Sequence, residues 1–163
     1  MSENSMSLEN YANMLVSDIK MAVALDIKKT AKMALIRAIN ETVYIQKKKY
    51  VPTYDFLNAV EISDFKIGNN RATFSVVINA SKMQIQIREG QLSAHAGVPN
   101  KQGEREDFRE LLIPTLNDGS SGSPIYNFKG YHFFEKAEDD MDRNLILVMA
   151  KALRAKGWKV SIY

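Results

Sequence analysis

The chain contains no cysteine. That absence removes disulfide staples, thiolate nucleophiles and cysteine-ligated zinc or iron–sulfur centres, and it agrees with a protein made in the cytoplasm. Histidine is scarce as well. His95 and His132 stand apart, each in a loop-rich stretch, so no Glu-x-x-His pair offers itself for a helical metal centre. Long hydrophobic runs are missing, and nothing approaches the ~18 apolar residues of a membrane span. The opening MSENSMSLEN is polar and acidic, without the basic start and apolar stretch of an export signal. There is no Gly-x-Ser-x-Gly elbow, which leaves only Ser93, Ser120 or Ser121 with either histidine to weigh for a triad assembled across the fold. DGSSG at 118–122 lacks the Gly-Lys-Ser/Thr ending of a phosphate-binding loop.

What remains is the composition of a soluble globular protein: 163 residues, 45% hydrophobic and 25% charged, enough for a single domain. Net charge is +3 and the sequence pI is near 9.0, with an uneven distribution. Lys47, Lys48 and Lys49 form one knot, and the last thirteen residues carry Lys151, Arg154, Lys156 and Lys159 with no acid. Such runs are ordinary solvated faces, but Tyr50 after the knot and Trp158 in the tail interleave rings with charge as nucleic-acid-tracking surfaces do. No helix-turn-helix, zinc-finger or RNP signature accompanies them, so sequence-specific reading of nucleic acid is not expected.

Between Ser7 and Ile45 there is neither glycine nor proline, and the segment predicts a helix capped by Ser7. Its apolar stripe, Tyr11, Leu15, Ile19, Ala22 and Leu25, continues as Ile27, Ala31, Ala34, Leu35 and Ala38 after a change of phase near Asp26. This is one bent helix or two in tandem. At ~1.5 Å per residue, nearly forty helical residues reach ~55 Å, longer than a compact domain of this size, so part of it should project or pack on another copy of the chain.

After Pro52 the period changes to two. Leu57 to Ile67 predicts a first strand whose apolar parity slips between Ile62 and Phe65, placing a bulge near Ser63 or Asp64. Ala72, Phe74, Val76 and Ile78 mark a second strand and Met83, Ile85 and Ile87 a third, which together make an antiparallel meander. Residues 91–130 form a long excursion with one helical candidate, Glu104 to Leu112. From Phe133 a helical stripe returns (Phe134, Ala137, Met141, Leu145, Val148, Met149, Ala152) and stops at Gly157. Trp158, Val160 and Ile162 then alternate as a final strand would. The expected fold is therefore α+β: an N-terminal helical segment (1–51), a β meander (52–90), the excursion (91–130), and a helix with a final strand packed on the sheet (131–163).

SPIYNFKGYHFFEKAEDD, residues 123–140, sets aromatic rings against Glu135, Glu138, Asp139 and Asp140. Acids at the start of a helix and bases at its end, here Lys151, Arg154 and Lys156, complement its dipole, so a loop-to-helix joint accounts for the pattern. A carboxylate site needs acids converging from separate elements, and these are sequence neighbours fanning around one helix.

This order of elements resembles the phage tail-completion or neck family, the minor tail component of tailed phages. PTYDFLNAVEI, with Thr53 to Ile62, stands where many members have Thr-Gly-x-Leu-x-x-Ser before the first strand, though Tyr54 and Asp55 replace the usual glycine. YHFFEKAEDDMDRNLILVMAKAL matches their aromatic run opening a C-terminal helix. The resemblance covers nearly the whole layout. It implies a structural virion protein with no catalytic residues, cofactor or metal, which assembles as a homo-oligomeric ring at the head–tail junction and meets other neck and tail proteins. Lys47, Lys48 and Lys49 become candidate non-specific contacts to DNA in the channel. Asn117, Asp118, Tyr126 and Phe128, in the excursion, become candidate inter-protein contacts. A tail terminator ring capping the tail tube is the nearest alternative, and a non-specific nucleic-acid-binding module is the alternative outside virion structure.

Overall fold

In the computed structural model, residues 7–45, 55–68, 71–83, 109–120 and 128–163 are described. The first segment is one continuous helical run: α1 (Leu8–Ala22), a π turn (Val23–Ile27), α2 (Lys28–Ile39) and a second π turn (Asn40–Tyr44). Ser7 caps its start, its hydroxyl accepting the Asn10 N–H at 3.2 Å. The phase change near Asp26 is the first π turn, in which the Lys28 N–H donates to the Val23 carbonyl five residues back. One extra residue in the turn rotates all that follows by about one residue's worth of helix, which carries Ile27, Ala31, Ala34, Leu35 and Ala38 onto the inner side, where all five are buried. A threonine hydroxyl bonds a carbonyl four residues back beside each π turn, Thr30 to Asp26 at 2.9 Å and Thr42 to Ala38 at 2.7 Å.

The C-terminal helix α5 (Phe133–Ala155) runs antiparallel against this long helix. Arg37–Asp140 at 3.4 Å, Lys136–Glu41 at 3.0 Å and Lys156–Asp18 at 3.9 Å mark the pairing along its length. Ala31, Ala34, Ala38 and Ala137 are buried small residues that let the two backbones approach.

Among the described residues the sheet is a hairpin of β1 (Val60–Ile67) and β2 (Ala72–Ile78). Its register slips between Ser63 and Lys66, at the expected bulge, and Asp64 there has φ 53°. Lys28 from the long helix stands over the Phe65 ring at 3.7 Å and holds the bulged end of the hairpin. After β2 the Asn79 side chain accepts the Ser81 N–H at 3.1 Å and starts a 3₁₀ turn, Ala80–Lys82. Glu61 bridges hairpin and turn, bonded to Lys82 and accepting from Asn79 at 2.7 Å.

Three expectations are corrected. The first strand does not begin at Leu57: Asp55–Asn58 forms a single helical turn, α3, which delivers Phe56 into the core against Phe133. The helical candidate of the excursion does not stop at Leu112: α4 spans Arg109–Asp118 and continues through Pro114 because Leu112, Ile113 and Leu116 pack against the core, while residues 104–108 of the candidate lie outside the described residues. The tail after Gly157 is not a strand on the sheet. Trp158 turns toward α1, its indole N–H donating to Asp18 at 2.8 Å and its ring meeting Tyr11 edge-on at 4.8 Å. The Arg154 guanidinium occupies the Val160 carbonyl at 2.6 Å, in place of a strand partner. The body of the predicted third strand, from Gln84 on, lies outside the described residues; Met83 before it is buried.

The main core therefore sits at one end of the helix pair, where Leu35, Ile39, Val43, Phe56, Val60, Ile78 and Phe133 meet. At the other end, among the described residues, α1 and the second half of α5 pack on each other and on the tail, and Leu8, Tyr11, Met14, Leu25, Ile146 and Leu147 are exposed.

Candidate functional site

The junction between α4 and α5 carries the chemistry of the 123–140 stretch. Asn117, at the end of α4, is 4% exposed, the one buried polar side chain among the described residues. Its side-chain oxygen accepts the Phe134 N–H at 3.0 Å, and its amide donates to Asp118 at 2.7 Å and to Glu135 at 3.1 Å. The backbone follows: Tyr131 N–H donates to Leu116 at 2.8 Å and His132 N–H to Asn117 at 2.9 Å. His132 itself cannot serve as an ordinary cap. It sits in the left-handed region at φ 49° with no side-chain hydrogen bond to a backbone N–H of the first turn, so the helix start is capped from seventeen residues upstream. Just beyond, Gly119 and Ser120 (β3) pair with Lys129 and Phe128 (β4), closing the base of the loop between them.

The acids divide among structural partners. Glu135 accepts from Asn117 and lies 3.6 Å from His132, Asp140 pairs with Arg37, and Glu138 and Asp139 face solvent. Among the described residues no three His, Asp or Glu side chains converge as a metal site would require. The arrangement orders a joint.

Glu135 also gives the joint a pH dependence. Its own backbone N–H, and then the Asn117 amide and the His132 imidazole, hold its carboxyl below the ordinary value of 4.5. A depressed folded pKa means that the stabilisation is complete above the unfolded value and is lost as pH falls through the folded one. Glu135→Gln is expected to lower the melting temperature on the neutral side, where the carboxylate contributes, and to leave the acid end little changed, so that the rise in stability from acid to neutral pH flattens, as read by melts across pH.

The predicted site residues fare unequally. Asn117 is buried with its amide fully engaged, so it is withdrawn from any docking surface and belongs to the joint. Asp118 is exposed at the loop base. Phe128 contributes backbone to β4, whereas Tyr126 and Lys47, Lys48 and Lys49 lie outside the described residues. Sequence reading missed two features. One is the capping role of Asn117, signalled only by an Asn-Asp-Gly at the end of an apolar run. The other is a bare methionine-bearing side of the long helix, with Met14, Met21 and Met33 each exposed. The sign of the latter was methionine recurring at positions outside the inner stripe.

No protein-family model, curated protein or solved structure matches this chain.

Proposed function

We propose that this protein is a structural component of a tailed-phage virion, a neck or tail-completion protein that forms a ring at the head–tail junction through which DNA passes. It acts by packing and carries no catalytic step. The observation that carries the reading is the helix pair: a continuous helical run about 55 Å long that is buried at one end and keeps large apolar side chains in solvent at the other. A monomer with nothing to meet has no use for that exposed side, whereas a ring subunit covers it with its neighbours. The order of long helix, bulged hairpin, excursion and aromatic-led C-terminal helix supports the same assignment, and two α5 acids, Glu135 and Asp140, serve a joint and an interhelical ion pair. A tail terminator ring has the same physical requirements. It is separated from a neck ring by which neighbouring protein, on the head side or the tail tube, the purified assembly binds.

The test is the assembled state. Light scattering and negative-stain microscopy of the concentrated protein, alone and with the products of adjacent genes, should give rings with a central channel and a mass many times 18.4 kDa. A chain that stays monomeric in all mixtures, and binds DNA with steep salt dependence, belongs to the nucleic-acid-binding alternative.

A further inference from the structure

The long helix carries two apolar seams, and the described residues of the chain cover only one. The inner seam, with Leu15, Ile19 and Ala22, is partly or fully buried. The outer seam is Met14, Met21 and Leu25, continued past the π turn by Met33; these are 49, 43, 63 and 46% exposed. Spacings of seven and four, with one residue taken up by the π turn, keep them on one side of the rod. Met21 lies at its edge, where its sulfur also accepts from Lys156 at 3.3 Å. On α5 the matching bare residues are Ile146 and Leu147, 61 and 55% exposed. The antiparallel register set by Arg37–Asp140 and Lys156–Met21 brings these two level with Thr30 and Ala31, between Leu25 and Met33.

Charges of both signs flank the seams: exposed Asp26 stands beside Leu25 in the π turn with exposed Lys29 further along the same side, and exposed Asp142, Arg143 and Lys151 surround Ile146 and Leu147. Asp26 and Lys151 have no ion-pair partner among the described residues. The same register puts Lys151 at the height of Asp26, so an α5 laid antiparallel on the outer seam at the in-chain height would set Ile146 and Leu147 between Leu25 and Met33 and bring Lys151 to Asp26.

We infer that the occupant of the outer seam is α5 of a second copy of this chain: Leu25 and Met33 of one copy pack on Ile146 and Leu147 of the next, with Asp26 facing Lys151 across the contact. Two helices in isolation bury one stripe each, and this contact makes a four-helix layer in which both stripes are buried. The inference rests on the assembly reading above and supplies its subunit contact.

The cysteine-free sequence allows a direct test. Met33→Cys and Leu147→Cys are made in separate chains, one with an affinity tag, mixed at about 100 μM and treated with a short bismaleimide; the micromolar scale suits an interface of this size. The expected product is a mixed dimer, at least tenfold more abundant than either self-linked product. Leu25→Glu, on an exposed position that leaves the fold intact, should raise the self-association Kd by about 30-fold or more, the loss of one interface hot spot. Asp26→Lys should weaken association, and Lys151→Glu in the same chain should restore it. No mixed product, or an unchanged Kd for Leu25→Glu, overturns the contact. Rings that persist with Leu25→Glu leave the ring reading standing while this contact fails. A chain bearing both cysteines that links only to a closed dimer keeps the contact and removes the ring, whereas a ladder of higher multimers upholds both.

Discussion

Gly130→Ala is expected to cost at least about 3 kcal/mol, seen as a fall of roughly 10 °C in the melting temperature or as loss of soluble protein. A Cβ at this position would lie 1.9 Å from the Asn117 carbonyl oxygen and 2.4 Å from the Asp118 carbonyl carbon. These are backbone atoms at the end of α4, and they are held there by the His132 N–H on that same oxygen and by the Asn117 side chain on the start of α5. Relief of the clash therefore requires α4 and α5 to separate, with loss of the cap. The requirement is for space, not for an unusual backbone, because Gly130 is not among the glycines with positive φ. Gly157 supplies the contrast. It has φ +90° and open space around the Cβ position, so Gly157→Ala should cost only the conformational penalty of about 1 kcal/mol. Melts of the two variants side by side distinguish a glycine kept for contact from one kept for conformation.

The features that were legible beforehand share a cause: each is written in residues close together in the chain. The π turn at Asp26 appears as a slip in a helical stripe, the bulge at Asp64 as a slip in strand parity, and both ends of the helix pair in Ser7 and Gly157. The features that were not legible depend on partners far away. Asp55–Asn58 has the apolar residues of a strand start, and it is helical because Phe56 reaches a ring at position 133. The alternation of Trp158, Val160 and Ile162 is the same whether its partner is a strand or the flank of a helix, and the choice was made by an aspartate 140 residues earlier. Asn117 is a loop residue by composition and a helix cap only because Phe134 is folded beside it. For the candidate contact surface, the methionines of the outer seam were visible, but what marks them as bare is that α5 takes the other side.

Phe133→Ala should be as damaging as Gly130→Ala by a different route, with a loss of about 3–5 kcal/mol. Phe133 is fully buried, edge-on to Phe56 at 5.5 Å and tilted against Phe134 at 4.8 Å, and it joins the first turn of α5 to the core formed by Ile39, Val43 and Val60. Truncation leaves a cavity among neighbours on four elements, none of which can collapse into it without leaving another, so the penalty stays near the upper part of the range. For a domain with a total stability of 5–15 kcal/mol this is a large fraction, and denaturant midpoints should fall accordingly, whereas Phe133→Leu should recover more than half of the loss. The residue also separates the two ends of the molecule. Phe133 sits in the main core, far along α5 from Ile146 and Leu147, so whatever Phe133→Ala protein remains folded should associate with a Kd close to that of the parent chain. Leu25→Glu should do the reverse, keeping the melting temperature and losing association. If Phe133→Ala instead weakened association in proportion to its loss of stability while Leu25→Glu had no effect, the contact between copies would lie on the core end, around α4 and the loop base.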